Sequence, residues 1–216
     1  MAQIFQPRDV LLLKLGALGA VGFVAVAIVV GRSVFAEVPA ENSPVIQDPP
    51  FSHKHHVSDV GLDCRFCHVS VETSAFAGIP PSATCMTCHS QLFHNQDILK
   101  PLFASMAGGP SLKWTRIHRL PDFVYFNHGI HVAKGVGCST CHGHVEQMAF
   151  LFRVQSLEMS WCIDCHRAPE RFLRPREQVF NMNWDPPQDQ IEQGERLVHD
   201  YRIDRGRLLD CSNCHR

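Results

Sequence analysis

All ten cysteines of this 216-residue chain lie in five copies of one pentapeptide, Cys-x-x-Cys-His. The copies are Cys64-Arg-Phe-Cys67-His68, Cys85-Met-Thr-Cys88-His89, Cys138-Ser-Thr-Cys141-His142, Cys162-Ile-Asp-Cys165-His166 and Cys211-Ser-Asn-Cys214-His215. This pentapeptide is the attachment signature of c-type haem: the two thiols bond to the porphyrin, and the histidine is the proximal ligand of the iron. The sequence therefore predicts five covalently bound haems, each held by one motif.

Three other uses of cysteine fit this pattern poorly. A zinc ribbon needs two cysteine pairs for each ion, and zinc gives no reason for a histidine after every pair. A thioredoxin-like redox motif occurs once, in a βαβ context that is absent here. Disulfides between cysteines three residues apart would close no long loop and would add little stability.

Five haems leave little room for a conventional apolar core. All five motifs lie between residues 64 and 215, so packing against porphyrin must replace much of the packing between side chains. The predicted fold is a membrane-anchored multihaem cytochrome c whose haem domain consists of short helices and loops, with little or no sheet. The net charge of −1 argues against nucleic acid as a partner.

An apolar run near the N-terminus predicts a single membrane-spanning helix. The run from Val10 to Gly31 has 22 residues, enough to span a bilayer of about 30 Å as a helix. Arg8 and Lys14 lie at its start, so the positive-inside rule places the N-terminus in the cytoplasm and the haem domain in the periplasm of a bacterium. A cleaved signal peptide is the alternative, because Val34-Phe35-Ala36 fits a cleavage site, but the apolar run is longer than a usual signal core.

The composition divides the chain into three parts. Residues 1–36 form the cytoplasmic N-terminus and the transmembrane anchor, and the polar, proline-rich residues 37–50 form a linker. Residues 51–216 form the pentahaem domain. That domain contains repeat units 51–89 and 126–166, followed by the fifth haem at 211–215.

The two repeat units each begin with the pattern Phe-x-His-x-x-His. The first copy contains Phe51, His53 and His56, and the second contains Phe126, His128 and His131. Each copy is followed by two haem motifs. Because residues i and i+3 lie on nearby faces of a helical turn, the two histidines of each copy can reach two different irons.

This pattern resembles that of small multihaem cytochromes of the class III type, and the resemblance assigns the distal ligands. It implies His53 for the haem on Cys64 and Cys67, His56 for the haem on Cys85 and Cys88, His128 for the haem on Cys138 and Cys141, and His131 for the haem on Cys162 and Cys165. His55 is interpreted as a surface residue or a contact to a haem propionate.

The fifth haem has no such histidine pair. His118 is the leading candidate for its distal ligand, because it lies in an apolar run that leads into the second repeat. Met148 is the main alternative, and a Met/His site would have a higher reduction potential than its neighbours. The remaining candidates are His94, His144, His199 and Met159. An arginine-rich stretch, 167–207, offers guanidinium partners for haem propionates or simply supports solubility.

Several longer segments resemble the pentahaem cytochrome subunit of alternative complex III. They are residues 117–131, 135–143, 159–167, 173–175 and the terminal Cys-x-x-Cys-His-Arg. The resemblance implies a subunit of a membrane quinol:acceptor oxidoreductase that docks on a large iron–sulfur subunit related to molybdopterin oxidoreductases. It also implies polytopic subunits that bind quinol, and a monohaem cytochrome c, another periplasmic carrier or a terminal oxidase as acceptor.

The predicted function is therefore electron relay by a subunit without an active site of its own. Irons with two histidine ligands leave no open position for a substrate. A stand-alone quinol dehydrogenase of the NapC/NirT type is the alternative, although the Phe-x-His-x-x-His repeats favour the class III plan. A reductase, for instance of nitrite, would need an open distal position, for which the fifth haem alone leaves room.

Overall fold

The computed structural model describes residues 6–35 and 40–215, and the chain divides into two compact units, 1–39 and 40–216. Residues 1–5, 36–39 and 216 lie outside the described residues. They include parts of the predicted N-terminal segment, the end of the cleavage pattern and the start of the predicted linker.

The first unit contains one helix, α1 (Pro7–Phe35), within its described residues. Residues 7–32 have a mean hydropathy of 2.3, and the side chains of residues 10–30 are exposed. Asp9 in the first turn and Arg32 in the last turn have the charges that a helix dipole favours at these ends. By length and composition, α1 is apolar and long enough to cross a membrane.

The second unit consists of short helices joined by long loops. Its α-helices are α2 (Cys64–Cys67), α3 (Ser82–His89), α4 (Lys100–Met106), α5 (His128–Ala133), α6 (Cys138–His142), α7 (Met159–Arg167), α8 (Gln190–Asp200) and α9 (Cys211–Cys214). A π-helical segment covers Lys54–Asp59, and 3-10 turns cover Asp97–Leu99, Val145–Gln147, Pro169–Arg171 and Arg176–Gln178. Among the described residues, β pairing is limited to isolated bridges, which confirms the prediction of a helical fold without a sheet.

The apolar core of the second unit is small. Among the described residues, the buried apolar side chains are Val71, Leu102, Ile117, Met148, Leu173, Val179, Met182 and Val198. Large side chains close to the motifs, such as Phe66, Phe93 and Phe123, are exposed. Contacts between apolar side chains therefore supply only part of the packing around the motifs, as the sequence predicts.

Residues 41–48, within the predicted linker, pair with the second unit. Isolated bridges join Glu41 to Arg153, Val45 to Leu151 and Asp48 to Lys113. The Gln47 side chain donates to the Thr115 carbonyl over 2.9 Å and accepts from the Thr115 N–H over 2.8 Å. From residue 40 onward, the proline-rich segment thus belongs to the second unit, a long-range pairing that its composition does not reveal.

Helix α8 packs closely on the 3-10 turn at Pro169–Arg171. The Gln190 side chain donates to the carbonyls of Glu170 and Leu173, over 2.9 and 2.8 Å. Gly194 lies on the same face, and a Cβ added there would fall on the carbonyl of Glu170. The close approach of this helix therefore requires glycine at position 194.

We expect Gly194→Ala to destabilise the unit by about 1–3 kcal/mol, the usual cost of overpacking. A loss of stability would be informative, because alanine in a helix interior otherwise stabilises a protein by roughly 1 kcal/mol relative to glycine. Chemical denaturation of the holoprotein, followed by circular dichroism, measures the difference. Gly206→Ala is the control, because a Cβ there meets only the flexible Asp204 side chain, at 3.3 Å. A Gly194→Ala protein as stable as the wild type would contradict the assigned packing.

Candidate haem-binding sites

Each Cys-x-x-Cys pair lies on a single helical turn. Helices α2, α6 and α9 begin at the first cysteine of their motif, and α3 and α7 contain theirs near the C-terminal end. On a helix, residues three apart lie on the same side, so both thiols of a motif point in similar directions. The Asp63 side chain begins α2 by accepting a hydrogen bond from the Arg65 N–H over 2.8 Å, as preferred N-terminal caps do.

None of the ten cysteines, all of which lie in the described part of the chain, forms a disulfide. Within residues 6–35 and 40–215, no three or more His, Cys, Asp or Glu side chains converge as the ligands of one ion. The disulfide and zinc-ribbon interpretations therefore find no support in this part of the chain. Two thiols that can bond to the porphyrin, with one or two imidazoles for the iron, are the groups that haem c requires, because the porphyrin nitrogens supply the other ligands.

Three pairs of histidines are spaced as ligands on opposite sides of one iron. Their ring centroids are separated by 6.2 Å for His56 and His89, 6.2 Å for His131 and His166, and 6.3 Å for His128 and His142. With metal–nitrogen bonds of about 2 Å, two such imidazoles hold their centroids roughly 6 Å apart. Each pair joins a proximal histidine to the distal histidine that the sequence predicts for the same haem.

The two Phe-x-His-x-x-His segments have nearly the same geometry. Phe51 lies edge-on to His53 at 5.0 Å and stacks on His56 at 4.5 Å. Phe126 lies edge-on to His128 at 4.7 Å and stacks on His131 at 4.4 Å. Each phenylalanine thus fixes the rings of both histidines in its copy, which explains its place in the repeat.

His53 lies in a half-buried position near the first motif. Burial lowers the pKa of His53 to about 4, and the nearby rings of His68, His56 and His118 lower it further. Its Nδ1 is buried without a hydrogen-bond partner. A histidine that stays neutral is suited to bind a metal, and the predicted partner of His53, His68, is among its neighbours.

Backbone carbonyls orient most of the candidate ligands through Nδ1. The Nδ1–H groups donate from His68 to Gly78, His89 to Leu92, His166 to Leu208, His215 to Phe123, His56 to Ser52, His128 to Ala75 and His131 to Asn127, over 2.7–3.3 Å. A donor bond at Nδ1 leaves Nε2 as the metal-binding nitrogen and fixes the ring plane. By contrast, Nδ1 of His55, His144 and His199 lies nearest to the carboxylates of Asp59, Glu146 and Asp200.

The third motif lies within a cluster of histidines. The pKa of His142 is lowered to about 3. Burial is the main cause, and the charges of His118, His128, His68 and His53 contribute to the same shift. The rings of His118 and His142 are 4.2 Å apart, too close for an iron between them. His118 is itself half-buried; burial lowers its pKa to about 4, and its Nε2 has no hydrogen-bond partner.

The fifth motif is held by residues 123–125, in the apolar run that leads into the second repeat. The Tyr125 N–H donates to the Cys214 carbonyl over 2.8 Å, and Val124 forms a bridge with His215. Phe123 stacks on His215 at 5.9 Å. His118 lies by His142, and buried Met148 lies close to Gly143, so the structure brings both predicted distal candidates to the third motif. Their assignment to the fifth haem remains a prediction.

The motifs form a spatial series that differs from their order in the chain. Cysteines of neighbouring motifs lie close enough to affect one another's pKa: Cys85 and Cys67, Cys64 and Cys138, Cys141 with Cys162 and Cys165, and Cys162 and Cys214. Burial raises the pKa of Cys141 to about 12, with the two cysteines of the fourth motif adding to the shift. The attachment sites are therefore arranged in the order second, first, third, fourth, fifth.

No family model matches the chain. A curated relative is 31% identical over 162 residues, which cover 65% of this chain and 76% of the relative. It is the multihaem cytochrome c subunit of menaquinone reductase from Nitratidesulfovibrio vulgaris (strain Hildenborough). Taken with the paired imidazoles and the attachment motifs, this similarity shows that the chain belongs to the same family as that subunit, a family of multihaem c-type cytochromes.

Proposed function

We propose that the chain relays electrons through five covalently bound c-type haems, as a subunit of a membrane quinol oxidoreductase of the alternative complex III type. The observation that carries this proposal is the pairing of histidines at 6.2–6.3 Å across three of the sites. Two imidazoles on one iron leave no open position, which favours electron transfer over the binding of a substrate. Haem iron supplies the one-electron exchange between ferric and ferrous states.

The protein's own residues hold the ligands in place and limit their motion. Carbonyls of four separate loops accept from the Nδ1–H groups of the proximal His68, His89, His166 and His215. Phe51 and Phe126 pack against the proposed distal histidines. A rigid ligand set changes little between oxidation states, and a small change in geometry favours fast electron exchange.

A link to quinones is supported by the relative and by the resemblance to alternative complex III. The relative is named as a subunit of a menaquinone reductase, whereas the resemblance implies a complex that oxidises quinol. Both support an electron-transfer role that is linked to a quinone. We propose quinol oxidation as the direction in this chain's complex, with reduction of menaquinone as the second candidate.

The proposed location is the cytoplasmic membrane of a bacterium, with the haem domain in the periplasm. Helix α1 supports a single-pass anchor through its length and hydropathy, and Arg8 and Lys14 support a cytoplasmic N-terminus. The proposed partners are an iron–sulfur subunit related to molybdopterin oxidoreductases, polytopic subunits that bind quinol, and a periplasmic cytochrome c or similar acceptor.

Comparison of the isolated chain with its complex tests this function. A tagged chain, purified from detergent-solubilised native membranes, is expected to carry polytopic and iron–sulfur subunits with it. Menaquinol should reduce its haems rapidly in that complex and should not do so when the chain is purified alone. An isolated chain that turns over menaquinol would instead establish the stand-alone dehydrogenase of the NapC/NirT type. Assays that supply either quinol or quinone show which of the two the complex converts. They therefore distinguish oxidation of quinol from reduction of quinone.

A further inference from the structure

Arg174 is a buried cation at the third haem motif. Its side chain is 4% exposed. The Nη2 group donates to the hydroxyls of Ser139 and Thr140, over 3.2 and 3.3 Å. These are the two residues between the attachment cysteines, so the guanidinium lies directly against helix α6, which carries the third motif.

The partners of this guanidinium in the described part of the chain are neutral. Besides the two hydroxyls, Nη1 donates to the Asn181 carbonyl over 3.3 Å, and the Trp184 ring lies 4.2 Å from the guanidinium carbon. Nε is buried without a hydrogen-bond partner. Buried charges in proteins are normally paired with an opposite charge, and the described residues place no carboxylate in an ion pair with Arg174.

Gly137 makes room for this arrangement. A Cβ at position 137 would fall on the guanidinium of Arg174. Gly137 has an ordinary φ of −74°, so the backbone conformation does not require glycine there. A side chain at position 137 would therefore have to displace the guanidinium, and glycine leaves this space to the cation.

We propose that Arg174 is a positioning residue whose buried positive charge raises the reduction potential of the haem attached at Cys138 and Cys141. When one electron converts Fe(III) to Fe(II), the site loses one unit of positive charge. A fixed cation nearby, in a medium of low dielectric constant, repels the ferric form more strongly and so stabilises the ferrous form. This inference rests on haem attachment at the third motif and is independent of the proposed complex.

A pair of substitutions at position 174 separates charge from packing. We expect Arg174→Gln to lower the midpoint potential of one haem in the purified holoprotein, so that its ferrous-to-ferric ratio at a fixed potential falls about tenfold, equivalent to about 59 mV for one electron. Arg174→Lys retains the charge and should restore most of the difference. Spectroelectrochemical titration, supported by EPR, measures both. Equal shifts in the two variants, or a loss of thermal stability without a change in potential, would overturn the proposal.

Arg176→Gln is the matched control. Arg176 also stacks on an aromatic ring, Tyr201 at 4.3 Å, and donates to a backbone carbonyl, but it is exposed. Water and salt screen an exposed charge, so this variant should leave every midpoint potential unchanged. A shift as large as that of Arg174→Gln would contradict the importance of burial.

Ser139→Asp tests the same charge if the Arg174 variants do not fold. The Ser139 hydroxyl accepts from the guanidinium, so an aspartate there places a carboxylate against it. The paired charges should lower the same midpoint potential, whereas the neutral Ser139→Asn should not. Identical potentials in these two variants would refute the proposal.

Discussion

Replacement of Cys138 and Cys141 by serine is expected to abolish the folded holoprotein, whereas the same change at Cys211 and Cys214 should leave a folded protein with four haems. The third motif lies between the first repeat unit and the rest of its own. Cys138 is close to Cys64 of the first motif, and Cys141 is close to the cysteines of the fourth motif. Its His142 lies within a cluster of half-buried histidines. Loss of this haem would leave the predicted ligands His142 and His128 without their iron, and polar groups that lose a partner inside a protein are costly.

The fifth motif has a peripheral position. Cys211 is exposed, and the hydrogen bonds that hold the motif come from Phe123, Tyr125 and the loop at residue 207. Its removal should therefore leave the other four sites intact. The pyridine haemochrome assay per mole of protein, with intact mass, measures the haem count after purification. A folded four-haem protein from the Cys138 and Cys141 variant would contradict the central position of the third motif.

The second large effect is expected at His131. Its ring lies 6.2 Å from that of His166, and we predict that it is the sixth ligand of the fourth haem. Replacement by alanine opens that position, so one haem per chain should become high-spin and bind carbon monoxide after reduction with dithionite. Replacement by methionine should instead keep the iron six-coordinate and raise its potential, since Met/His ligation favours the ferrous form.

His55 provides the matched control for this experiment. It lies in the first Phe-x-His-x-x-His segment between the two predicted ligands, but its Nδ1 is 3.7 Å from the Asp59 carboxylate and its side chain is half exposed. His55→Ala should leave the carbon monoxide difference spectrum unchanged. A high-spin fraction in His55→Ala, or its absence in His131→Ala, would show that the distal ligands are wrongly assigned.

The local part of this site could be predicted from the sequence. The Cys-x-x-Cys-His spacing and the Phe-x-His-x-x-His repeat depend on a single helical turn, where residues three apart lie on one side. For this reason the predicted pairs of His56 with His89 and of His131 with His166 lie at distances that suit one iron. Because each motif needs only a single helical turn, the sequence also predicts that the described residues form no sheet.

The rest of the site could not be predicted from the sequence, because it depends on contacts between distant segments. The carbonyls that orient His68, His166 and His215 belong to Gly78, Leu208 and Phe123, and no local pattern marks these residues as acceptors. The placement of His118 beside His142 arises in the same way. A position in an apolar run indicates that His118 is buried, but it does not indicate which motif it approaches.

The order of the attachment sites determines where further haem motifs can be added to this fold. The two repeat units meet through their first motifs, at Cys64 and Cys138. Their second motifs consequently face outward, at opposite ends of the four-site core. A further motif can be added at either end without altering the central junction, and the C-terminal motif beside Cys162 occupies such a place. Chains of different haem number can therefore share this core and differ only at its ends.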